Sequence, residues 1–236
     1  MYDQSVLNIM QDKKNKVKNI FDSIAFRYDF LNHLLSFGVD KYWRRKALKL
    51  SKVGSESFLL DVACGTGDVA IEAYKQGVRK IIGADFSQNM LQLFSKKSDW
   101  IKGKTVQTTA EQMPFTDNTF TNITVAFGVR NFYDIQEGFK SFYRVMKSNG
   151  KATVIEFQMP QNIIFKVLYK FYFKRILPFI GGIISKNKTA YQYLPNSVEE
   201  FDEKIYLVDM LKQAGFKSVK KFRLTFGIVQ VVIAEK

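Results

Sequence analysis

Two hydrophobic periods alternate along this 236-residue chain. The run from Phe58 to Val62 is apolar except at Asp61 and ends in glycines, which predicts a strand buried on both faces. Asp68 to Gln76 then has helical spacing and stops at Gly77. Lys80 to Ala84 predicts a second strand, and Ser87 is placed to cap a helix with Met90, Leu91 and Phe94 on one face. Val106 marks a third strand and Asn122 to Ala126 a fourth. Ile135 to Met146 predicts a helix, Ser148-Asn149-Gly150 a turn, and Ala152 to Glu156 a fifth strand. Near the end, Glu199 to Ala214 has helical spacing stopped by Gly215, and Val219 to Leu224 and Ile228 to Ala234 predict two closing strands. The alternation predicts one α/β domain over residues 1–236, with a seven-stranded, doubly wound, Rossmann-like sheet. Residues 1–52 form a basic helical cap in this reading.

Residues 157–198 break the rhythm, and we read them as a helical insertion after the fifth strand. The segment has no acidic residue, while Lys166, Lys170, Lys174, Arg175, Lys186 and Lys188 punctuate it. Phe165, Leu168, Tyr169, Tyr172, Phe173, Ile176 and Phe179 recur at spacings of three and four. That pattern fits an amphipathic face resting on anionic lipid, and equally apolar residues packed on the sheet beneath a solvated lysine face. The most apolar run, Ile176 to Ile184, is shorter than the roughly 20 residues that cross a bilayer. The formal net charge of +14 calls for an anionic partner, whether nucleic acid, phospholipid or acidic substrate. The single cysteine, Cys64, excludes an internal disulfide, and Asp3 and Asp12 interrupt any signal-peptide-like stretch, so a cytoplasmic protein is expected.

The chemistry concentrates at Cys64-Gly65-Thr66-Gly67. Gly65-x-Gly67, continued to Ala70, satisfies the loose dinucleotide pattern, and Asp85 stands where a carboxylate can bind ribose hydroxyls. Asp61 separates the cofactor types: a carboxylate there suits the amino end of a methionyl group and would repel a pyrophosphate. This points to S-adenosylmethionine rather than a nicotinamide dinucleotide. The bland alternatives are a ligand-free tight turn and, for Asp85, a carboxylate interacting with the helix dipole at Ser87.

These residues lie within blocks that resemble the ubiquinone/menaquinone biosynthesis C-methyltransferases. The blocks are Phe21 to Asp29 with Asn32 and Leu35 to Gly38, Trp43-Arg44-Arg45, Leu60 to Asp68, Asp85 to Leu91, and Ala110 to Phe115. Phe127-Gly128-Val129-Arg130-Asn131, Tyr191 to Pro195 and Leu224 to Gly227 complete them. The resemblance implies a class I S-adenosylmethionine-dependent methyltransferase acting on a prenylated quinol, with positions Thr66, Asp85, Thr109 and Ala110 on the cofactor. Thr109 stands where the family usually has Asp or Asn, a hydroxyl of shorter reach. Thr121 replaces a common aspartate and Ser148-Asn149 the usual Pro-Gly; both are read as drift in surface turns.

Methylating a ring carbon needs no metal, only alignment, a dry pocket and removal of a phenolic proton whose ordinary pKa is near 10. His33, the only histidine, stands four residues after Asp29 and is a candidate base or a structural residue. Arg130 and Asn131, after the fourth strand, are candidates to hold a quinolate, or Arg130 caps the sheet edge in a salt bridge. Tyr28 closes the pocket or packs. The resulting expectation is demethylmenaquinol methylation by a cytoplasmic protein peripheral to the inner membrane face, with transient lipid contact, no nucleic-acid partner, and a homodimer left open. The benzoquinol step of ubiquinone synthesis and an RNA methyltransferase are the alternatives.

Overall fold

In β1 (Phe58–Val62) alternate residues divide the core: Leu60 and Val62 join one buried cluster and Leu59 another. The structure, a computed structural model, describes residues 33–34, 36–176, 178–179, 196–202 and 205–236. Tyr28 with the rest of residues 1–32, and residues 180–195, fall outside them. In chain order the elements are α1 (Val39–Leu50), β1, α2 (Asp68–Lys75), β2 (Lys80–Asp85), α3 (Gln88–Lys97), β3 (Thr105–Gln107) and β4 (Phe120–Ala126). They continue with α4 (Ile135–Val145), β5 (Met146–Phe157), α5 (Ile163–Phe171), α6 (Leu207–Gln213), β6 (Ser218–Leu224) and β7 (Val229–Glu235). The seven strands form one sheet in the order β3-β2-β1-β4-β5-β7-β6, parallel except where β7 inserts antiparallel between β5 and β6.

Helices cover both faces. Phe139, Phe142 and Val145 of α4 and Leu207 and Leu211 of α6 pack with Leu60, Ile123 and Val154. On the other face Val69, Ala70 and Ala73 of α2 and Leu91 and Phe94 of α3 surround Leu59 and Ile81, while Trp43 and Ala47 of α1 lie on Ile155, Val229 and Val231. Ser87 caps α3 as expected, its hydroxyl accepting from the Met90 amide at 3.3 Å.

Three local expectations are corrected. Ser148-Asn149-Gly150 is no turn between elements: β5 runs through it, Asn149 takes a left-handed φ of 61°, and the β4 register shifts between Phe120 and Asn122. This is a bulge in a continuous strand. Thr121 is a strand residue rather than a surface-turn position, and its hydroxyl accepts from the Phe58 amide at 2.8 Å. The helix expected over 199–214 is broken: residues 196–202 are helical, Ile205 and Tyr206 are not, and α6 starts at Leu207. Phe201 and Leu207 both bury in the α4-side cluster. Six residues apart, an unbroken helix would turn them about 120° away from each other, so the break lets both face the sheet.

Candidate active site

The strand order reverses between β1 and β4, and ligands in such sheets bind beyond the carboxyl ends of the strands at that point. A cleft of about 640 Å³ opens there. Its wall contains five residues expected from the sequence: Gly65, Asp85, Thr109, Ala110 and Asn131. Asp61, Thr66, Gly67, Arg130 and His33 stand outside it. The loops after β1 and β4 are shaped by backbone in the left-handed region, at Ala63 (φ 49°) and Phe127 (φ 59°), a conformation concentrated at functional sites. Gly67 has φ +85°, its amide donates to Cys64 O at 2.9 Å, and a Cβ there would lie 2.1 Å from the Phe94 ring. Packing and backbone conformation therefore both require glycine there.

Asp85 organises this end of the sheet. One carboxylate oxygen accepts the Gly65 amide at 2.8 Å and the other the Ser87 amide at 2.8 Å. The helix-terminus reading is seen directly: the side chain ties the glycine turn to the start of α3, and it also lines the cleft. Asp61 is 1% exposed; Oδ1 accepts the Thr124 hydroxyl at 2.7 Å and Oδ2 has no hydrogen-bond partner. Burial pushes its pKa up to about 7, against the pull of Thr124, the Ala70 amide and Arg44. An unpaired carboxylate oxygen behind a glycine turn suits an ammonium group.

Arg130 is in a buried ion pair. Nη1 donates to Phe127 O at 2.7 Å and to Glu156 Oε1 at 2.6 Å, and both side chains are nearly inaccessible. Burial raises the Glu156 pKa despite Arg130 beside it. The salt-bridge alternative therefore describes part of the guanidinium, while its Nε stays unpaired. Sequence reasoning missed Glu156; the signal was an acid ending an apolar strand. Asn131 lies in a short helical turn, Val129–Asn131, at the cleft wall. Glu111, from the same wall, accepts the Tyr133 and Asp134 amides at 2.8 and 3.2 Å. Burial, Glu111 and Asp85 push the Tyr133 phenol up to about 12.

Asp29 lies outside the described residues, and the partner that His33 has among them is Asp40. Nδ1 is 2.7 Å from Asp40 Oδ2, and Asp40 also takes the Ser36 hydroxyl at 2.7 Å and the Arg44 guanidinium. Asp68, first residue of α2, meets Arg44 at 3.3 Å and Lys97 at 2.5 Å. Burial opposes ionisation of both acids, yet the cations hold Asp40 and Asp68 below the ordinary carboxylate range. His33, Asp40 and Asp68 bring three metal-type donors within 4.8 Å of one another. Arg44 and Lys97 already neutralise them, so the cluster works as a clamp from α1 to the glycine turn.

The insertion is also revised. After Phe157 come α5 and a widened helical turn, Tyr172–Ile176. Lys170 and Lys174, read as lacking an acid, both pair with Glu199, at 2.8 and 2.6 Å. The outward face of α5 is apolar: Ile163, Ile164, Val167, Leu168 and Phe171 are 57 to 69% exposed. Among the described residues no helix is long and apolar enough to cross a membrane.

The fold matches solved methyltransferases. A SAM-dependent methyltransferase of Thermotoga maritima superposes with a TM-score of 0.62 at 18% identity, over 92% of this chain and 99% of that one. With the cleft and glycine turn at the switch point, the fold is that of the class I S-adenosylmethionine-dependent methyltransferases. The chain belongs to the ubiE/COQ5 methyltransferase family, whose model matches residues 9–236. It is 43% identical to the ubiquinone/menaquinone biosynthesis C-methyltransferase UbiE of Geotalea uraniireducens, over 96% of this chain and 99% of that protein. It is equally 43% identical to the demethylmenaquinone methyltransferase of Chlorobaculum parvum, over 99% of this chain and 98% of that protein.

Proposed function

We propose that the protein methylates a ring carbon of a prenylated quinol, converting demethylmenaquinol to menaquinol. The observation that carries this reading is kinship over nearly the whole chain with enzymes so named. S-adenosylmethionine, when bound, supplies an electrophilic sulfonium methyl. The chain's part is to hold that donor, align the ring and remove a phenolic proton. Asp85 takes the ribose hydroxyls, and the unpaired Oδ2 of Asp61 takes the amino end. Gly65, Thr66 and Gly67 allow close backbone approach, and Thr109 and Ala110 flank the adenine. Arg130 and Asn131 stabilise the quinolate, a negative ring oxygen being favoured beside a cation and an amide donor. His33, oriented by Asp40, is the base in this reading.

Residues 1–52 and 157–198 act as cap and cover of one catalytic unit, and the reading involves no nucleic acid. The exposed apolar face of α5 supports docking from the cytoplasm on the inner membrane face, where a prenylated quinol resides. A second substrate, 2-methoxy-6-polyprenyl-1,4-benzoquinol, is favoured by relatives named for both pathways. The test is transfer of labelled methyl to short-tailed forms of both quinols by the purified protein. Transfer to the naphthoquinol at the higher kcat/KM is expected; no transfer to either would remove the proposal.

A further inference from the structure

Among the described residues, three buried polar atoms near the carboxyl ends of β4 and β5 have no hydrogen-bond partner: Arg130 Nε, Gln158 Nε2 and the Tyr169 hydroxyl. Folded chains rarely leave such groups unpaired, because each forfeits the hydrogen bonds it made to water. Aromatic contacts link two of them, Tyr169 and Arg130. Tyr169 stacks on Phe173 with ring centroids 4.0 Å apart, Phe173 meets Phe157 edge-on at 5.8 Å, and the Arg130 guanidinium lies 5.9 Å from the Phe157 ring. Gln158 follows Phe157 directly, its backbone N–H donating to Ile228 O at 3.0 Å. Glu156 occupies Nη1 of Arg130 and offsets its charge, leaving the Nε edge unsatisfied.

Gly227 lies beside Gln158: a Cβ there would be in ordinary contact, 3.6 Å from Gln158 Nε2, and its φ is +86°. The loop before it is held in an uncommon conformation, with Thr225 at φ 47° and Phe226 at φ 54°, and the Trp43 indole donates to the Thr225 hydroxyl at 2.7 Å. Strain kept in place by a tertiary hydrogen bond is a mark of a functional wall. The neighbourhood thus offers N–H and O–H donors among aromatic rings, the chemistry that receives a flat aromatic ring bearing oxygens.

We infer that Gln158 and Tyr169, together with the Nε edge of Arg130, bind the ring oxygens of the aromatic substrate and select it by its oxygen pattern. The inference rests on the quinol reading above. It also gives α5 two faces with separate tasks, Tyr169 inward on the ring and Val167, Leu168 and Phe171 outward.

The experiment measures binding without turnover. Protein saturated with S-adenosylhomocysteine is titrated calorimetrically with a short-tailed 1,4-naphthalenediol and with the matching 1-naphthol, which lacks one ring oxygen. Wild type should prefer the diol by about tenfold, a hydrogen bond's worth of affinity. Tyr169→Phe and Gln158→Met should each erase most of that preference and leave S-adenosylhomocysteine affinity unchanged. Because the Tyr169 hydroxyl has no protein partner to lose, Tyr169→Phe should melt at or above wild type without ligand. Preference within twofold of wild type in both variants overturns the inference while the methyl-transfer assay still stands. So does a fall of several degrees in the Tyr169→Phe melting temperature, which would make the hydroxyl structural. A wild type that neither binds nor methylates the diol overturns both readings.

Discussion

Asp61 is a carboxyl group that burial makes harder to ionise. Its folded-state pKa of about 7 lies above the ordinary 3.8, so the folded chain holds a proton that the unfolded chain releases. Stability of the cofactor-free protein should therefore fall as pH rises from about 4, with the loss complete above about 7. Asp61→Asn removes that slope: thermal melts at pH 5 and pH 8 should differ less for the variant, and at pH 8 it should melt above wild type. Parallel profiles for the two proteins would contradict the assignment. Asp85 carries the opposite liability. Asp85→Ala leaves the Gly65 and Ser87 amides without acceptors, a cost of about 1–3 kcal/mol for each that stays buried. Calorimetry should show weaker S-adenosylhomocysteine binding, and melting should show lower stability as well. Both positions stood out in the sequence because each is an acid near the end of an apolar run beside glycines. Glu156 was harder to read, since its meaning depends on Arg130, 26 positions away in the chain.

Among the elements, the glycine turn illustrates two separate demands on one residue type. Gly67 and Gly77 both hold positive φ, 85° and 98°, but only at Gly67 would a Cβ strike the Phe94 ring. Gly77→Ala should cost about 1 kcal/mol of backbone strain. Gly67→Ala should cost at least about 2 kcal/mol more, because a fully buried phenylalanine must move. Urea titrations of the two variants isolate the clash, and equal losses would show that Phe94 yields freely. The α/β alternation was readable because parallel strands buried on both faces form short apolar runs. The bulge at Asn149 and the break before Leu207 were not, as each answers to a neighbour: β4 for the first, and for the second the cluster that receives both Phe201 and Leu207.

At the scale of the whole molecule, the +14 net charge suggests lipid attraction, but two lysines of the insertion face a local acid: Lys170 and Lys174 pair with Glu199, whose pKa their hydrogen bonds lower. Docking should then depend more on the apolar face than on those two lysines. Val167→Ser with Phe171→Ser should abolish co-sedimentation with anionic vesicles, while Lys170→Gln with Lys174→Gln should reduce it less than threefold. The reverse ranking would mean that charge dominates. Methylation of a short-tailed quinol should persist in both pairs. The two tryptophans supply one last consequence, an optical one. Trp100 stacks on Tyr74 at 4.3 Å, whereas Trp43 touches both Phe127, on the cleft wall, and Phe157, beneath Arg130, at 6.0 and 5.9 Å. With Trp100→Phe in place, the remaining indole emission becomes a native gauge of occupancy: a shift in its wavelength would time the arrival of donor and acceptor separately, without any dye.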